Sequence, residues 1–571
     1  MSFLDQIFAR LVASGDQTIL TELRGESGAV TVTGTDLLAK ITLARAFLSS
    51  HGLRKGDRVA LLAPNGIDWI AMDLAIIAEG LIVVPLYSRQ APSELVAMMK
   101  DCSPALICCG DAPLRDGILQ SWSQAPAQSL FEEIFGADET GTTRARTEPA
   151  LSLSKGMSEP HKQVPHADAD LVAIIYTSGT SGEAKGVIIT AGNVGHILQC
   201  TSERLDILMN TTADQARQDC VYQWAPLNFA AAWITTLTSL LRGSSVFMNT
   251  DLTKLAGEIR TVEPDYFVNV PALLERVRRA VDEQIWKTGG IVRTIYSNAK
   301  SAYMRKQEGS GRIADFVWLA MATKLVFPTI RKKMIGTNIK ALICGSAPLS
   351  METQLYFAML GIPVLQVYGL TETTAICTMD DPRHVEPGRV GSAIRDIDMK
   401  LGENDEILVR GPNVFPGYWN RPDETAKVLR DGWFYTGDQG EVNAAGNWKI
   451  SGRIKNLIIL NSGHNIAPEP IEDEILAQLP NAQQVVLVGN GRSYLSAIVT
   501  GSVTGDQVQA ALDAVNPELP HYKQVRAFRI SGESFTPESG LLTANGKLKR
   551  DAVAQRFKLD IEEMYAAKQA V

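Results

Sequence analysis

The alternation of short apolar runs with helix-like segments is the sequence feature that most restricts the fold of this chain. After Gly52, the strand-like runs "RVALL", "LIVVPLY" and "ALICCG" are separated by segments whose apolar residues recur at helical spacing. Repeated strand–helix–strand units require parallel strands, with helices covering the faces of the sheet. The same alternation resumes at "LVAIIYTSG". The sequence therefore predicts an α/β fold.

The alternation changes at three places along the 571 residues, a length that calls for at least two domains. Between about 137 and 170 it gives way to Ser, Thr, Pro and charges, which predicts an exposed linker inside the first domain. After Asp396 short strands indicate a small antiparallel unit. The last region has its own strands and helices, as a small α+β domain would. We predict two domains, 1–452 and 453–571.

One segment, residues 285–340, interrupts the strands with amphipathic helical sequence rich in Lys, Arg, Met and Trp. Three interpretations of this insertion stay open. It could be a helical pair packed on the main body, a lid, or a patch that contacts a membrane surface.

Composition excludes several classes of function. The net charge is −8, without a basic block or aromatic RNA-binding pattern, which argues against nucleic acid as the main partner. The seven cysteines form no CxxC pair and indicate reduced core thiols. We see no secretory signal, and no run reaches the roughly 18 apolar residues of a membrane span. The expected location is cytoplasmic, with at most a peripheral contact at the inner membrane surface.

The stretch "YTSGTSGEAKG" combines hydroxyl side chains, glycines and one lysine between two β-branched runs. It is not a Walker A loop, because Lys185 is followed by Gly186 rather than by Ser or Thr. Glycines still allow backbone N–H groups to approach an anion closely, and the hydroxyls add further donors. The stretch therefore predicts a phosphate-binding loop, against the alternative of an ordinary turn.

Four further motifs follow in order. "VYGLTETTA" supplies an aromatic ring, a hydroxyl and, in Glu372, a hard oxygen ligand suited to Mg²⁺. "WFYTGDQG" contains Asp438, "SGRIKN" contains Arg453 and Lys455, and "LLTANGKLKR" contains Lys547. Each motif alone has a plainer alternative, a strand-end cap or a solvated hairpin turn.

Taken together and in this order, the five motifs resemble the adenylate-forming superfamily, the AMP-dependent synthetases and ligases, over about residues 20–555. Its opening signature resembles "SGTSGEAKG", with Ala184 here where proline is common. The resemblance implies two βαβ-type subdomains plus a small distorted β-barrel in the N-terminal domain, and a small mobile α+β C-terminal domain. Among members, bacterial long-chain fatty acyl-CoA synthetases are the most similar.

The resemblance also implies contacts for ATP, Mg²⁺ and CoA. Phosphate contacts fall on Thr177, Ser178, Gly179, Thr180, Ser181, Gly182 and Lys185. Contacts lining the adenine and acyl pocket fall on Gly345, Ser346, Ala347, Pro348 and Gln366. Tyr368 would stack on adenine beside Gly369, Thr371 would meet the α-phosphate, Glu372 would hold Mg²⁺, and Asp438 and Arg453 would lie at the ribose. Lys547 would bridge the carboxylate and the α-phosphate. Lys455 would be the hinge, and Gly463 would lie by CoA.

The implied activity is ATP-dependent activation of a medium- or long-chain fatty acid to acyl-AMP, followed by transfer to CoA. Asn456 and Ile459 depart from the family pattern around the hinge, so transfer to a carrier protein or another nucleophile stays an alternative. The pocket residues would be Asn228, Phe229, Trp233 and Gly345. Phe229 stands where the long-chain branch has histidine, either as a core residue or in a reshaped pocket. A non-catalytic fatty-acid binder is a third hypothesis.

Overall fold

The structure is a computed structural model that describes residues 2–25, 28–136, 163–178, 184–209, 218–536, 539–542 and 548–566. Its first elements include two helices that begin with capping boxes, in which Asp5 and Asp36 bond back to Ser2 and Thr33. Up to residue 136 the elements are α1 (Phe3–Ser14), β1 (Thr18–Leu23), β2 (Ala29–Thr33), α2 (Gly34–Ser50), β3 (Arg58–Leu62), α3 (Ile67–Ala78), β4 (Ile82–Leu86), α4 (Pro92–Cys102), β5 (Leu106–Cys109), α5 (Ala112–Ser121), β6 (Ala127–Leu130) and α6 (Phe131–Phe135).

The next stretch alternates strands and helices, as predicted. Its elements are β7 (Leu171–Ser178), β8 (Ala184–Thr190), α7 (Ala191–Met209), β9 (Cys220–Gln223), α8 (Ala230–Arg242), β10 (Ser245–Asn249), α9 (Leu255–Val262) and β11 (Tyr266–Asn269). The described residues place β3 to β8 in one six-stranded sheet, ordered β6-β5-β3-β4-β7-β8. All its neighbours are parallel except β7 and β8. Helix α3 is buried along its whole length, which explains its continuous apolar sequence.

The helical insertion follows β11 and is longer than the sequence indicated. It contains α10 (Pro271–Thr288), α11 (Gly290–Gln307), α12 (Ile313–Leu325) and α13 (Phe327–Met334). The predicted start of the insertion at residue 285 was therefore wrong. The interpretation as a helical pair was also wrong, because the segment contains four helices. Pro271 at the first helical turn begins α10, since proline fixes φ where no backbone donor is needed.

A second, nine-stranded sheet assembles strands from both sides of this insertion. Its later elements are β12 (Ala341–Cys344), α14 (Met351–Met359), β13 (Val364–Tyr368), β14 (Thr378–Met379) and β15 (Ser392–Ala393). In the described part of the chain the order is β15-β14-β13-β12-β11-β9-β10-β1-β2. The central strands β11, β12 and β13 are parallel, so their carboxyl ends share one edge.

The predicted small antiparallel unit is a sheet of five strands among the described residues. Its elements are β16 (Asp398–Leu401), β17 (Glu406–Arg410), α15 (Pro422–Val428), β18 (Leu429–Arg430), β19 (Trp433–Val442) and β20 (Trp448–Arg453). All of its pairings are antiparallel. This sheet stands where the resemblance implied a small distorted barrel.

The last region has separate apolar clusters, composed of residues from Ile458 onward. Its elements are β21 (Ile458–Ile459), β22 (Asn465–Ile466), α16 (Pro468–Ala477), β23 (Ala482–Val488), β24 (Leu495–Gly501), α17 (Gly505–Val515), β25 (Val525–Ser531), α18 (Arg550–Arg556) and α19 (Lys558–Ala566). The α+β character and the large α/β part before it confirm the predicted fold class. The boundary at 452/453 stays a prediction.

Two expectations concern cysteines and membrane spans. All seven cysteines lie in the described residues, outside any disulfide there, and six are buried, which confirms core thiols. Across the described ranges no single helix is both long and apolar enough to cross a membrane. The bent pair α12 and α13, with 44° between its helices, passes that test by length and composition alone.

Candidate active site

A buried carboxylate on β19, hydrogen-bonded to the last residue of β13, forms the first cluster of the site, which we call the Asp438 cluster. Tyr368 Oη donates a hydrogen bond to Asp438 Oδ2 at 2.8 Å, and Arg453 Nε lies 2.6 Å from Asp438 Oδ1. Asp438 and Arg453 face each other directly across β19 and β20. Asp438 is only 3 % exposed. The carboxylate is therefore held by a phenol and a guanidinium before any ligand arrives.

The electrostatics of this cluster favour a charged carboxylate and a neutral phenol. Burial raises the pKa of Tyr368 well above its ordinary value, and the charge of Asp438 adds to that rise. Tyr368 therefore acts as a donor at neutral pH. The guanidinium of Arg453 supplies the counter-charge that a buried carboxylate requires.

A second cluster is organised by Tyr418, and we call it the Tyr418 cluster. Tyr418 Oη donates to Glu372 Oε1 at 2.8 Å, while Lys185 Nζ lies 5.3 Å from the centre of the Tyr418 ring. Lys185 Nζ also contacts Glu424 Oε2 at 2.5 Å. Lys185 and then Lys427 lower the pKa of Glu424 to about 2. One tyrosine thus joins the predicted phosphate-binding lysine to the predicted metal-binding carboxylate.

Backbone pairing brings this cluster together. The N–H of Trp419 donates to the Gly186 carbonyl at 2.8 Å, and the N–H of Ile188 donates to the Gly417 carbonyl at 3.2 Å. A side chain at Gly186 would not fit, because its Cβ would lie 2.7 Å from Ile174 Cγ2. The segment around Tyr418 therefore runs beside β8 and places its ring next to Lys185.

The two clusters are linked by the tight turn after β13. Gly369 is required there, because a Cβ at this position would lie 2.2 Å from the Ala375 carbonyl oxygen. A short 3₁₀ helix, Thr371–Thr373, follows. The Phe415 N–H donates to the Glu372 carbonyl at 2.8 Å and fixes this turn to the antiparallel unit. Tyr368, Thr371 and Glu372 are thereby held within one turn of chain.

Glu372 has the chemistry expected of a Mg²⁺ ligand. It is half-buried, and one of its oxygens accepts from Tyr418. No group of three or more potential protein ligands occurs among the described residues. A single carboxylate fits Mg²⁺ that arrives with a nucleotide, because this ion usually keeps waters and phosphate oxygens as its other ligands. The residues present therefore fit such an ion.

The segment Gly345–Pro348 follows β12 at the same sheet edge. A Cβ at Gly345 would lie 2.7 Å from Val367 Cγ2, so glycine lets this segment pass close to β13. Ser346 has φ 74°, and Ser346, Ala347 and Pro348 are all exposed. The structure brings this predicted pocket segment beside Tyr368.

Gln366 is occupied by structural contacts. Its side-chain amide donates to Gln354 Oε1 at 2.9 Å, and its backbone N–H donates to Asp380 Oδ2 at 2.7 Å. Gln354 lies on α14, so this buried network attaches the helix to the sheet. The assignment of Gln366 to the nucleotide site stays a prediction.

The predicted pocket residues Asn228, Phe229 and Trp233 lie around the start of α8. Asn228 and Phe229 are half-buried, and the Phe229 ring is 6.4 Å from that of Tyr87. Trp233 is buried, and its indole N–H donates to Asp73 Oδ2 at 3.0 Å. Burial raises the pKa of Asp73 to about 7. The structure thus places Trp233 in the core between α8 and α3.

The predicted hinge and CoA-contacting positions lie just beyond β20. Lys455 lies in the short 3₁₀ turn Ile454–Asn456, where Asn456 Nδ2 donates to Glu469 Oε1 at 2.6 Å. Gly463, with φ 82°, lies in the turn between β21 and β22. These two residues are near Arg453 in sequence, but their roles stay predictions.

Several predicted residues fall outside the described ranges: Gly179, Thr180, Ser181, Gly182 and Lys547. Thr177 and Ser178 end β7, where their backbones lie opposite Lys185 and Ala184 of β8. The described part of the loop therefore consists of its two strand ends.

Sequence reasoning missed Tyr418 and Glu424. The motif "VFPGYWN" offered a signal, because Pro416 and Gly417 mark a non-helical stretch directly before two aromatic residues. Nothing in the sequence indicated that this stretch pairs with β8, more than 200 residues earlier in the chain.

Comparison with known proteins places this arrangement in context. Residues 9–419 match the family described as AMP-binding enzyme, and residues 455–569 match the AMP-binding enzyme C-terminal domain. The chain is 26% identical over 564 residues to long-chain-fatty-acid–CoA ligase FadD15 of Mycobacterium tuberculosis, covering 94% of this chain and 92% of that one. It is 29% identical over 573 residues to the peroxisomal long chain acyl-CoA synthetase 7 of Arabidopsis thaliana, covering 90% of this chain and 79% of that one.

Solved structures support the fold. ATP-bound MatB from Rhodopseudomonas palustris aligns with a TM-score of 0.70 at 23% identity, covering 98% of this chain and 99% of that one. A Mycobacterium tuberculosis fatty acyl CoA synthetase aligns with a TM-score of 0.63 at 22% identity over the same shares. Because the family model spans well over half of its residues, this chain belongs to the AMP-binding enzyme family.

Proposed function

We propose that this enzyme activates a medium- or long-chain fatty acid with ATP, giving acyl-AMP and pyrophosphate, and then transfers the acyl group to the sulfur of CoA with release of AMP. The observation that carries this proposal is the convergence of separate segments on one sheet edge. Lys185, Glu372 and Asp438 are joined to that edge through Tyr418 and Tyr368. The names of the curated relatives support the substrate class.

Asp438 suits the ribose of the nucleotide. A carboxylate accepts several hydrogen bonds at once, and Tyr368 and Arg453 are among the partners of Asp438. In the proposed complex the Asp438 oxygens accept from the ribose hydroxyls, while Tyr368 offers its ring to adenine. Since the carboxylate is buried and already charged, it needs little reorganisation when the ribose binds.

Lys185 suits the β- and γ-phosphates at the other end of ATP. Its ammonium is close to Glu424 and over the Tyr418 ring, so it must leave a carboxylate to grip an anion. Glu372, oriented by Tyr418, would hold the Mg²⁺ of the nucleotide. Bound there, that ion would neutralise charge on the phosphate oxygens.

Lys547 is proposed to act at the reacting atoms. When a carboxylate attacks the α-phosphate, two anions meet, and a cation must stabilise the charge that develops. Thr371, in the turn after β13, offers its hydroxyl to the same phosphate. Loss of one such stabilising contact costs about 100- to 1,000-fold in rate.

Transfer to a carrier protein is retained as a second candidate. Ile459, where a lysine is frequent in the family, has a side chain that is 50 % exposed just beyond the proposed hinge. Asn456 contacts Glu469 where the family usually has an aspartate. Both changes lie at the predicted acceptor side, whereas the ATP-binding residues Glu372, Asp438 and Arg453 are present. Their presence favours an enzyme over a fatty-acid binder.

A carboxylic-acid panel tests the proposal. Fatty-acid-dependent exchange between ATP and labelled pyrophosphate should appear, and its absence at every chain length would refute adenylation. Lys547→Ala should abolish exchange, whereas Lys549→Ala, the matched control two residues away, should retain it. Mass spectrometry of products formed with CoA or with carrier proteins separates the two acceptors.

A further inference from the structure

The helix α12 exposes an apolar row that has no role in the proposed site. Ile313 is 96 % exposed and Phe316 is 77 % exposed, and Val317 is exposed beside them. The exposed Lys324 lies on the same face, since residues that follow Ile313 by 3, 4, 7 and 11 positions share one face of the helix. The opposite face carries the buried Asp315 and Ala322. We call the exposed row Ile313, Phe316, Val317 and Lys324 the α12 surface.

The insertion around this surface is strongly basic, although the whole chain carries −8. Residues 281–340 contain eleven Lys and Arg against four Asp and Glu, a net charge of +7. Two of the four carboxylates are neutralised internally, because Asp282 pairs with Lys300 at 3.0 Å and Asp315 pairs with Arg305. The exposed basic residues are Lys287, Arg293, Lys306, Arg312, Lys324, Lys332, Lys333 and Lys340.

We propose that the α12 surface docks on an anionic lipid bilayer, with its apolar side chains in the headgroup region and exposed lysines and arginines of the insertion at the phosphates. Apolar residues flanked by Lys and Arg are the composition of a helix that lies at a membrane interface. Each Lys or Arg near an anionic leaflet contributes to binding, and the contribution decays within a Debye length.

The charge decides between possible occupants. A second copy of this chain would place the same +7 segment opposite itself, which costs energy through like-charge contact. Protein interfaces bury their anchor residues in pockets of the partner near the interface centre. Here the side chains of Ile313 and Phe316 are largely exposed to solvent. Such side chains can insert into the headgroup layer of a bilayer, which needs no preformed pocket.

The surface lies on the bilayer rather than crossing it. Helix α13 buries Phe327 and Ile330, and α12 buries Ala322, in the apolar cluster beneath the insertion. Removing these helices from the body would expose that cluster to water, which opposes insertion of the bent pair as a span.

Flotation with lipid vesicles tests the proposal independently of the proposed function, because no ATP or fatty acid is needed. The full chain should float with vesicles containing phosphatidylglycerol and not with pure phosphatidylcholine, and binding should fall as salt rises. The double variant Ile313→Ser/Phe316→Ser should bind about 100-fold more weakly. Leu559→Ser, which removes a 75 % exposed leucine from α19, is the matched control and should bind as the parent does.

A charge variant distinguishes electrostatic docking from non-specific hydrophobic adsorption. Lys332→Gln/Lys333→Gln should weaken binding to anionic vesicles by about 30-fold. Lys549→Gln/Lys558→Gln removes two exposed lysines outside the insertion and should change binding little. Circular dichroism of each variant should match the parent, since all the altered side chains are exposed.

Three results would overturn the proposal. The first is a parent protein that does not float with anionic vesicles. The second is equal binding by the parent and by Ile313→Ser/Phe316→Ser. The third is a lipid-free dimer, seen by analytical ultracentrifugation, that this double variant disperses, because that result would assign the surface to a second copy.

Discussion

The Asp438 cluster and the Tyr418 cluster both pair a carboxylate with a cation, but they do so in different surroundings. Asp438 is buried and opposes Arg453 across two paired strands. Glu424 is half-exposed on a short helix and reaches Lys185 from outside the sheet. A buried carboxylate such as Asp438 is costly to leave unpaired, whereas a pair whose two side chains are both partly exposed contributes less and opens more easily. The comparison supports the proposed roles, a fixed acceptor at Asp438 for the ribose and a cation at Lys185 that is readily released for the phosphates.

The strongest test replaces the buried carboxylate. Asp438→Asn should raise the KM for ATP by about 100-fold, because charge-assisted hydrogen bonds to the ribose are lost, while the KM for the fatty acid should change little. Pyrophosphate exchange over a range of ATP concentrations measures this. Asp398→Asn alters an exposed Asp–Arg pair in the same sheet and is the control. An unchanged KM for ATP would reduce Asp438 to a structural partner of Arg453.

A third carboxylate, Asp73, shows what burial does without a cation. Its pKa is raised from 3.8 to about 7 by burial, and Trp233 donates to only one of its oxygens. The folded state therefore holds a proton that the unfolded chain releases above its ordinary pKa. The contribution of Asp73 to folding stability is therefore greatest below its ordinary pKa of 3.8 and falls as the pH rises towards 7.

Asp73→Asn should remove this dependence, since an amide does not titrate. The difference in unfolding free energy between parent and variant should change by roughly 1–3 kcal/mol between pH 4 and pH 8. Urea denaturation at several pH values measures it, with Asp68→Asn on the same helix as control. Parallel pH profiles for parent and Asp73→Asn would contradict the burial argument.

Tyr418→Phe tests the link within the second cluster. The variant keeps the ring under Lys185 but loses the hydrogen bond to Glu372, a contact of about 1 kcal/mol. We expect a Mg²⁺ requirement about five- to tenfold higher at fixed ATP, because Glu372 is no longer oriented. Tyr435→Phe is the control, because Tyr435 lies on β19 and its ring packs against Arg430 of β18. An unaltered Mg²⁺ titration would show that Tyr418 contributes to packing and does not orient Glu372.

Glu424→Gln should have the smallest effect. Lys185 would no longer leave a charged partner to reach ATP, so the affinity for ATP should rise by at most about fivefold, since solvent-accessible ion pairs contribute little. Calorimetric titration with ATP at two salt concentrations measures this, with Glu441→Gln as control. A loss of affinity would mean that Glu424 positions Lys185 rather than competing for it.

Much of the fold follows from local sequence. The periodic segments at "GIDWIAMDLAIIAEG" and "AGNVGHILQCTSERLDIL" are helices α3 and α7, because a repeated apolar spacing selects one conformation and one buried face. The start of the insertion was missed, because Lys, Arg and Glu fill much of α10 and weaken its apolar pattern. Its Lys and Arg were noted, but its net charge of +7 is not visible in the total of −8, because acidic residues elsewhere reverse the sign.

The site was predictable only where residues carry their role in the motif itself. Tyr368, Asp438 and Arg453 were named from the sequence, and the structure brings them into contact. Tyr418 was not, because its role depends on strand pairing between distant segments, and pairing register is set by tertiary packing. Trp233 was assigned to a pocket from its motif, whereas its burial depends on a neighbouring helix that the motif does not contain.

The basic insertion also makes the charge distribution along this chain strongly uneven. With +7 in residues 281–340 and −8 in total, the rest of the chain carries −15. A protein with an isoelectric point near 5.6 would ordinarily pass through a cation-exchange column at pH 7.5. This chain also carries a local cluster of positive charge, so it should be retained on cation-exchange as well as on anion-exchange resin. It should bind the cation-exchange resin through the insertion and the anion-exchange resin through acidic residues elsewhere.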